Sequence, residues 1–225
     1  MYETHIFLDF EMNPIPRSFR EARECCGAEI CEIGAVKLDA RYELVERYTR
    51  FVKPDYGPIA PHITRLTGIR DEDVADAPSF AAALADFAAW IGDRPARIYS
   101  WSLSDWYQLD DECYLKELEM PWQLRQRWMD FQAVYTRLIG LSNAHPLSLK
   151  YAIGAAEQTF DGSAHRAVDD AANSAELLRM VKAGRLQEQA RIIHDALRPK
   201  EKNFSMGDAL KDQLAAWQAQ HSKQE

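Results

Sequence analysis

The stretch HIFLDFE, residues 5–11, decides how this chain is read. Its residues follow the two-residue period of a strand, so Ile6, Leu8 and Phe10 share one face while Phe7, Asp9 and Glu11 share the other. Charge on an inner sheet face is costly unless it is paired or bound to a metal. A carboxylate pair closing an apolar first strand therefore asks for a cation. Two residues apart on one strand, Asp9 and Glu11 have backbones about 6.6 Å apart, close enough for both carboxylates to converge on one ion. The geometry suits Asp9 as a ligand shared between two ions.

Outward from this strand, the runs 30–38 and 42–52 are joined by Asp39-Ala40-Arg41 and predict an antiparallel hairpin. Pro78 opens a segment with Phe80, Leu84, Phe87 and Ile91 at helical spacing, and Gly92 closes it. Residues 97–101 read as a short buried strand, followed by a helix with Trp106, Leu109 and Cys113 on one face. A strand over 127–131 precedes a helix ending near Gly140, and Pro146 starts a short helix reaching Ile153. Three antiparallel strands followed by strand–helix units predict an α/β fold, a mixed five-stranded sheet flanked by helices.

The domain is expected to span 1–183. The remainder, 184–225, is a polar helical extension broken at Pro199-Lys200. Its last helix places Met206, Leu210, Leu214 and Trp217 on one side, a surface for packing on the domain or for a homodimer contact.

With 225 residues, 47% of them apolar, the chain can bury a sizeable core. Its 27 Lys and Arg against 35 Asp and Glu give a net charge of -8, which argues against gripping phosphate by bulk charge. Bound divalent cations would reverse the potential locally. Cys25, Cys26, Cys31 and Cys113 lack zinc-site spacing and read as reduced thiols. No basic leader and no apolar run near ~18 residues is present, so a soluble, cytoplasmic protein without a membrane partner is expected.

The second decisive stretch is HRAVDDAANSAELL, residues 165–178. Asp169 and Asp170 fall in the first turn of a helix, where the dipole favours acids in any case. Taken together with Asp9 and Glu11, however, His165 and Asp170 complete the layout of a phosphodiester-hydrolysing site. Such chemistry uses two divalent ions about 3.5–4 Å apart. Hard Mg²⁺ or Mn²⁺ prefers oxygen ligands, so a few carboxylates suffice.

These motifs resemble the DEDDh 3′-to-5′ exonucleases, which include polymerase proofreading subunits, RNase T and oligoribonuclease. LDFE matches the first motif and HRAVDDAAN the third, with Asp169 as the usual adjacent acid. YSWSLSDWYQL, residues 99–109, is similar to the second motif of the Eri-type exoribonucleases, and that alignment selects Asp105. Asp110, Asp111 and Glu112, further along, read as a solvated acidic face. CEIGAV at 31–36, LTGI at 66–69 and the run leading into the third motif extend the resemblance over about 4–182.

The resemblance implies the ribonuclease H-like fold, and one ion on Asp9, Glu11 and Asp170 with a second on Asp9 and Asp105. It also implies His165 as general base and nucleoside 5′-monophosphates as products. Histidine, with an ordinary pKa of about 6.5, suits proton removal near neutral pH. The expected partner is the 3′ end of a single-stranded nucleic acid, RNA ahead of DNA, with bases lying on Phe10, Met12 or Trp106 and His165 beside the substrate; core packing is the competing role for Phe10 and Trp106. Arg17, Arg20 and Arg23 are a candidate phosphate grip or a solvated loop.

The chain departs from the family at Met12-Asn13-Pro14, where Ala-Thr or Thr-Thr is common, at Ser102 for Gly, and at Ala172 for Arg. Two other readings stand beside the exoribonuclease: a DNA exonuclease with a proofreading or repair role, and a regulatory interaction protein that keeps the fold.

Overall fold

The computed structural model describes residues 2–126, 128–142, 146–155 and 160–197. In chain order the elements are β1 (Thr4–Pro14), α1 (Arg20–Cys25), β2 (Ala28–Leu38), β3 (Leu44–Phe51), α2 (Pro61–Thr67), α3 (Asp71–Val74) and α4 (Phe80–Ile91). They continue as β4 (Ala96–Ser100), α5 (Ser104–Leu115), β5 (Met129–Asp130), α6 (Phe131–Leu138), α7 (Leu149–Ala155), α8 (Ala167–Lys182) and α9 (Leu186–Leu197). The five strands form one mixed sheet in the order β3-β2-β1-β4-β5, with β1, β2 and β3 antiparallel and β4 and β5 parallel to β1. This is the mixed five-stranded sheet expected from the sequence.

β1 lies at the centre, and both of its faces are covered. Ile6, Leu8 and Phe10 enter a cluster with Ile30, Ile33, Phe80, Phe87 and Leu109, which places α4 and α5 on that side. Phe7 enters the opposite cluster with Tyr99, Phe131, Tyr135, Ala171 and Leu178, so α6 and α8 cover the other. The alternation read from HIFLDFE is therefore the division of the molecule into two layers. One compact unit comprises Met1–Ile193.

A β-bulge interrupts the β1–β2 ladder. Glu11 pairs with Glu32 but Met12 pairs with Ile30, leaving Cys31 without a partner residue. Because of the extra residue, Ile30 and Ile33 enter one core cluster although they are an odd number apart. Cys31 turns the other way, into a small cluster with Ile59, Ile63 and Ile69, and its Sγ donates to the Glu11 carbonyl at 3.3 Å.

Local chemistry sets most helix ends. Ser79 Oγ accepts from the Ala82 amide to start α4, and Gly92 at φ 90 ends it. β5 is shorter than the expected 127–131, because Asp130 already caps α6 by accepting from the Ala133 amide at 2.7 Å. The helix expected from Pro146 begins at Leu149 instead, where Ser148 Oγ accepts from the Tyr151 amide at 3.3 Å.

One expectation is corrected. Glu112 is fully buried, unlike exposed Asp110 and Asp111, because it points back into the fold from the inner side of α5. It accepts from the Ile30 amide at 2.7 Å and pairs with Lys116, which also meets Glu29 and Asp55. All four cysteines are free thiols. No helix among the described residues is long and apolar enough to cross a membrane. The face of Met206, Leu210, Leu214 and Trp217 lies outside the described residues.

Candidate active site

The sheet brings the separated acids to one place. Asp9 sits on central β1 opposite Gly34, half-buried, and Glu11 lies two residues on, buried and opposite Glu32. β4 runs parallel to β1 and feeds into α5, whose second residue is the buried Asp105. The Phe10 amide donates to Asp105 Oδ1 at 3.1 Å, tying the second motif to the first.

From the other layer, the start of α8 supplies Asp170, whose Oδ2 accepts from the His165 amide at 3.0 Å. His165 adopts φ 66, a left-handed conformation that histidine visits more readily than most residues. Its side chain stays exposed. One ligand atom from each of Glu11, His165 and Asp170 lies within 4.8 Å of the others, the one such donor group among the described residues.

The electrostatics unite all four carboxylates. Burial pushes Asp9 well above the usual carboxylate range, and the charges of Asp105, Asp170, Glu11 and Glu32 push it further. Burial, then Asp170, Glu32 and Asp105, raise Glu11 to about 8, with Arg166 opposing. Asp105 is raised to about 7 by burial, although the Phe10 amide favours its charged form. Asp170 is raised to about 6, again mainly by burial, with the His165 amide and ring opposing. Such crowding is unfavourable in the bare protein and favourable around hard cations. The donor set of clustered carboxylates and one imidazole therefore fits divalent metal.

Three features whose roles were not read from the sequence hold this arrangement. Gly34 has no room for a side chain, since a β-carbon there would stand 2.0 Å from the Val168 nitrogen. Its place in CEIGAV was visible, but the close approach of α8 was not. Second, Asp169 Oδ2 accepts from the Ser163 amide at 2.9 Å, and Asn173 bridges to Asp161 in both directions, at 3.1 and 2.9 Å. These bonds fasten the loop before His165. Third, fully buried Glu32 accepts from Arg166 Nε and Nη2, the Ala167 amide and Thr49 Oγ1.

The expected base-contacting residues are placed differently from one another. Phe10 is buried in the core facing Trp128, so its ring offers no stacking surface; what it gives the site is its amide. Trp106 is half-buried and meets Trp128 edge to face at 5.4 Å, and Met12 is half-buried beside the same cluster. Of the basic residues after β1, Arg23 Nη1 donates to the Ile15 carbonyl at 2.7 Å, while Arg17 and Arg20 are exposed.

Residues 6–178 match a family model described as the RNase T exonuclease. The chain belongs to this exonuclease family. Within it, the chain is similar to curated relatives named as Eri-type exoribonucleases. It is 26% identical over 95% of its length to ERI1 exoribonuclease 2 of Mus musculus and 30% identical over 76% to the Danio rerio protein of that name. The chain spans about a third of those proteins, 34% and 33%.

Among solved structures, the fold is similar to the nuclease domain of 3′hExo, a DEDDh family member bound to rAMP. The TM-score is 0.69 at 22% identity, covering 81% of this chain and 94% of that one. Escherichia coli exonuclease I in complex with a dT13 oligonucleotide gives a TM-score of 0.62 at 17% identity, covering 81% and 42%. In this exonuclease chain, the departure at Met12-Asn13-Pro14 has an internal use. Asn13 Nδ2 donates to the Pro58 carbonyl at 3.1 Å and its Oδ1 accepts from the Ala60 amide at 2.8 Å, so a buried side chain clamps the 58–60 loop.

Proposed function

We propose that this chain is a metal-dependent 3′-to-5′ exonuclease that removes nucleotides from single-stranded 3′ ends, RNA in preference to DNA, and releases nucleoside 5′-monophosphates. The observation that carries the reading is the convergence of Glu11, His165 and Asp170 donor atoms within 4.8 Å, beside half-buried Asp9 and buried Asp105. Asp9, Glu11 and Asp170 would hold one divalent cation, and Asp9 with Asp105 a second, Mg²⁺ or Mn²⁺. When bound, such ions supply a readily deprotonated water and offset the charge that develops on the phosphate.

The chain's own residues do the rest. His165 stands exposed at the edge of the carboxylate group and takes the proton of the attacking water. The Phe10 amide fixes the direction of Asp105, and the His165 amide that of Asp170. Trp106 and Met12, both half-buried, would meet the terminal base. The preference for RNA is supported by relatives named as exoribonucleases and by a structural neighbour bound to rAMP. Likeness to exonuclease I, bound to an oligonucleotide of dT, favours the second reading, a DNA exonuclease. The same proposal assigns 1–183 to catalysis and 184–225 to a helical extension with a packing or dimer-forming role.

One assay separates the readings. Matched 5′-labelled single-stranded RNA and DNA are incubated with Mg²⁺ or Mn²⁺, wild type beside Asp9→Ala. Stepwise shortening of RNA by the wild type alone is the expected result. Shortening of DNA alone would establish the second reading, and no shortening of either would leave a regulatory protein that has kept the fold.

A further inference from the structure

We infer that the Glu32–Arg166 pair is the positioning device for His165, an inference that rests on the nuclease reading above. Glu32 sits on β2 at the bulge, fully buried and directly opposite Glu11. A buried carboxylate beside another carboxylate is retained only if it is heavily bonded. Glu32 meets that condition through one neighbour above all, since Arg166 donates Nε and Nη2 to it in a bidentate fork at 3.2 and 2.8 Å.

The same carboxylate accepts from the Ala167 amide at 3.2 Å. Glu32 thus grips the residue after His165 by its side chain and the next residue by its backbone. The Arg166 guanidinium is further confined by lying 5.5 Å from the Phe51 ring, and Thr49 Oγ1 donates to the remaining side of Glu32 at 3.2 Å. Both of those residues come from β3, so the sheet edge braces the pair. Arg166 is extended, at φ -119 and ψ 118, and its carbonyl accepts from the amides of Asp169 and Asp170.

His165 follows a loop with a left-handed glycine, Gly162, and is itself left-handed. Its side chain is exposed and its amide donates to Asp170 Oδ2 at 3.0 Å. The backbone on its C-terminal side is fixed by a carboxylate of another strand. Holding a general base within reach of its water is worth much of the catalytic gain, and a misplacement of about 1 Å can cost on the order of 10²-fold.

The test uses the full chain with Glu32→Gln, Arg166→Lys and His165→Ala, singly and with each of the first two combined with the third. Turnover of whichever labelled strand the wild type shortens is measured with Mn²⁺, alongside melting temperature. Glu32→Gln keeps the shape but not the charge, and Arg166→Lys keeps the charge but not the fork. We expect either to lower kcat by on the order of 10²-fold with little change in KM. Each double variant should be no slower than His165→Ala alone, because a misplaced base and a missing base are one loss.

Wild-type kcat in folded Glu32→Gln, or multiplicative losses in the double variants, would overturn the inference and leave the nuclease reading standing. If Glu32→Gln does not fold, the Arg166→Lys pair, whose side chain is 36% exposed, decides by the same comparison. A wild type inactive on both strands removes the nuclease reading and this inference with it.

Discussion

Gly34 and Val168 approach so closely that a β-carbon on Gly34 would overlap the Val168 nitrogen, at 2.0 Å. The contact sets α8 directly over the strand pair that carries Asp9, since Gly34 is the register partner of Asp9. Gly34→Ala should therefore displace the start of α8, lowering stability by roughly 1–3 kcal/mol as overpacking does. Activity should fall further than stability, because Asp170 and His165 move with the helix. Denaturant midpoints and nuclease rates on the folded fraction check this; equal rates would mean that the helix adapts in place.

Asp9→Asn removes one charge from a set of mutually repelling carboxylates without changing their packing. Nuclease activity should disappear while the melting temperature without metal, measured at pH 8, rises by a few degrees. A site that works against the stability of its own fold behaves this way. A drop in metal-free melting temperature would show that Asp9 is bonded in the bare protein after all.

The raised acids also fix a pH dependence. Unfolded Asp and Glu titrate at about 3.9 and 4.3, whereas Asp170, Asp105 and Glu11 in the fold are raised to about 6, 7 and 8. The folded state binds these protons more tightly, so their contribution to stability is complete below about pH 4 and is lost as pH rises through 6 to 8. Divalent cations select the ionised forms. The gain in melting temperature on adding Mg²⁺ should therefore grow from pH 5 to pH 8, and a gain independent of pH would contradict the assignment.

Lys116 offers a control remote from the chemistry. Its ammonium meets Glu29 at 3.0 Å, Glu112 at 3.0 Å and Asp55 at 2.8 Å. The first two acids are buried. Lys116→Met leaves them without their cation and should cost roughly 3–5 kcal/mol, as breaking a buried pair does. Turnover per folded molecule should stay at the wild-type level, which urea titration and active-site normalised rates would test.

Much of this was legible in residues 5–11, because a central strand covered on both faces writes its two layers as alternating side chains. α4 was legible for the same kind of reason: its apolar period, its Ser79 cap and Gly92 are all local. Glu32 was not, since its partner Arg166 lies far along the chain and a glutamate in CEIGAV looks like any polar residue in a strand. Glu112 was misread because the acids beside it on α5 are exposed; Lys116, Gln108 and the Ile30 amide, which all bond its carboxylate, explain its burial. Phe10 was a candidate base contact as an aromatic side chain, with core packing as its competing role, and the strand's own alternation sends its ring into the core.

The unpaired Cys31 acts on β2 as a change of phase. Beyond it Ile33 and Ala35 serve one layer while Glu32 and Gly34 face α8; before it the parity is reversed. Deleting that single residue would leave a more regular hairpin, yet it would exchange the two sides of everything before it on β2. Ile30 would leave the α4 and α5 layer, and Glu29 would turn away from Lys116. The irregularity lets one continuous ribbon obey two sets of instructions, and a variant repaired toward an ideal ladder would have to break one of them.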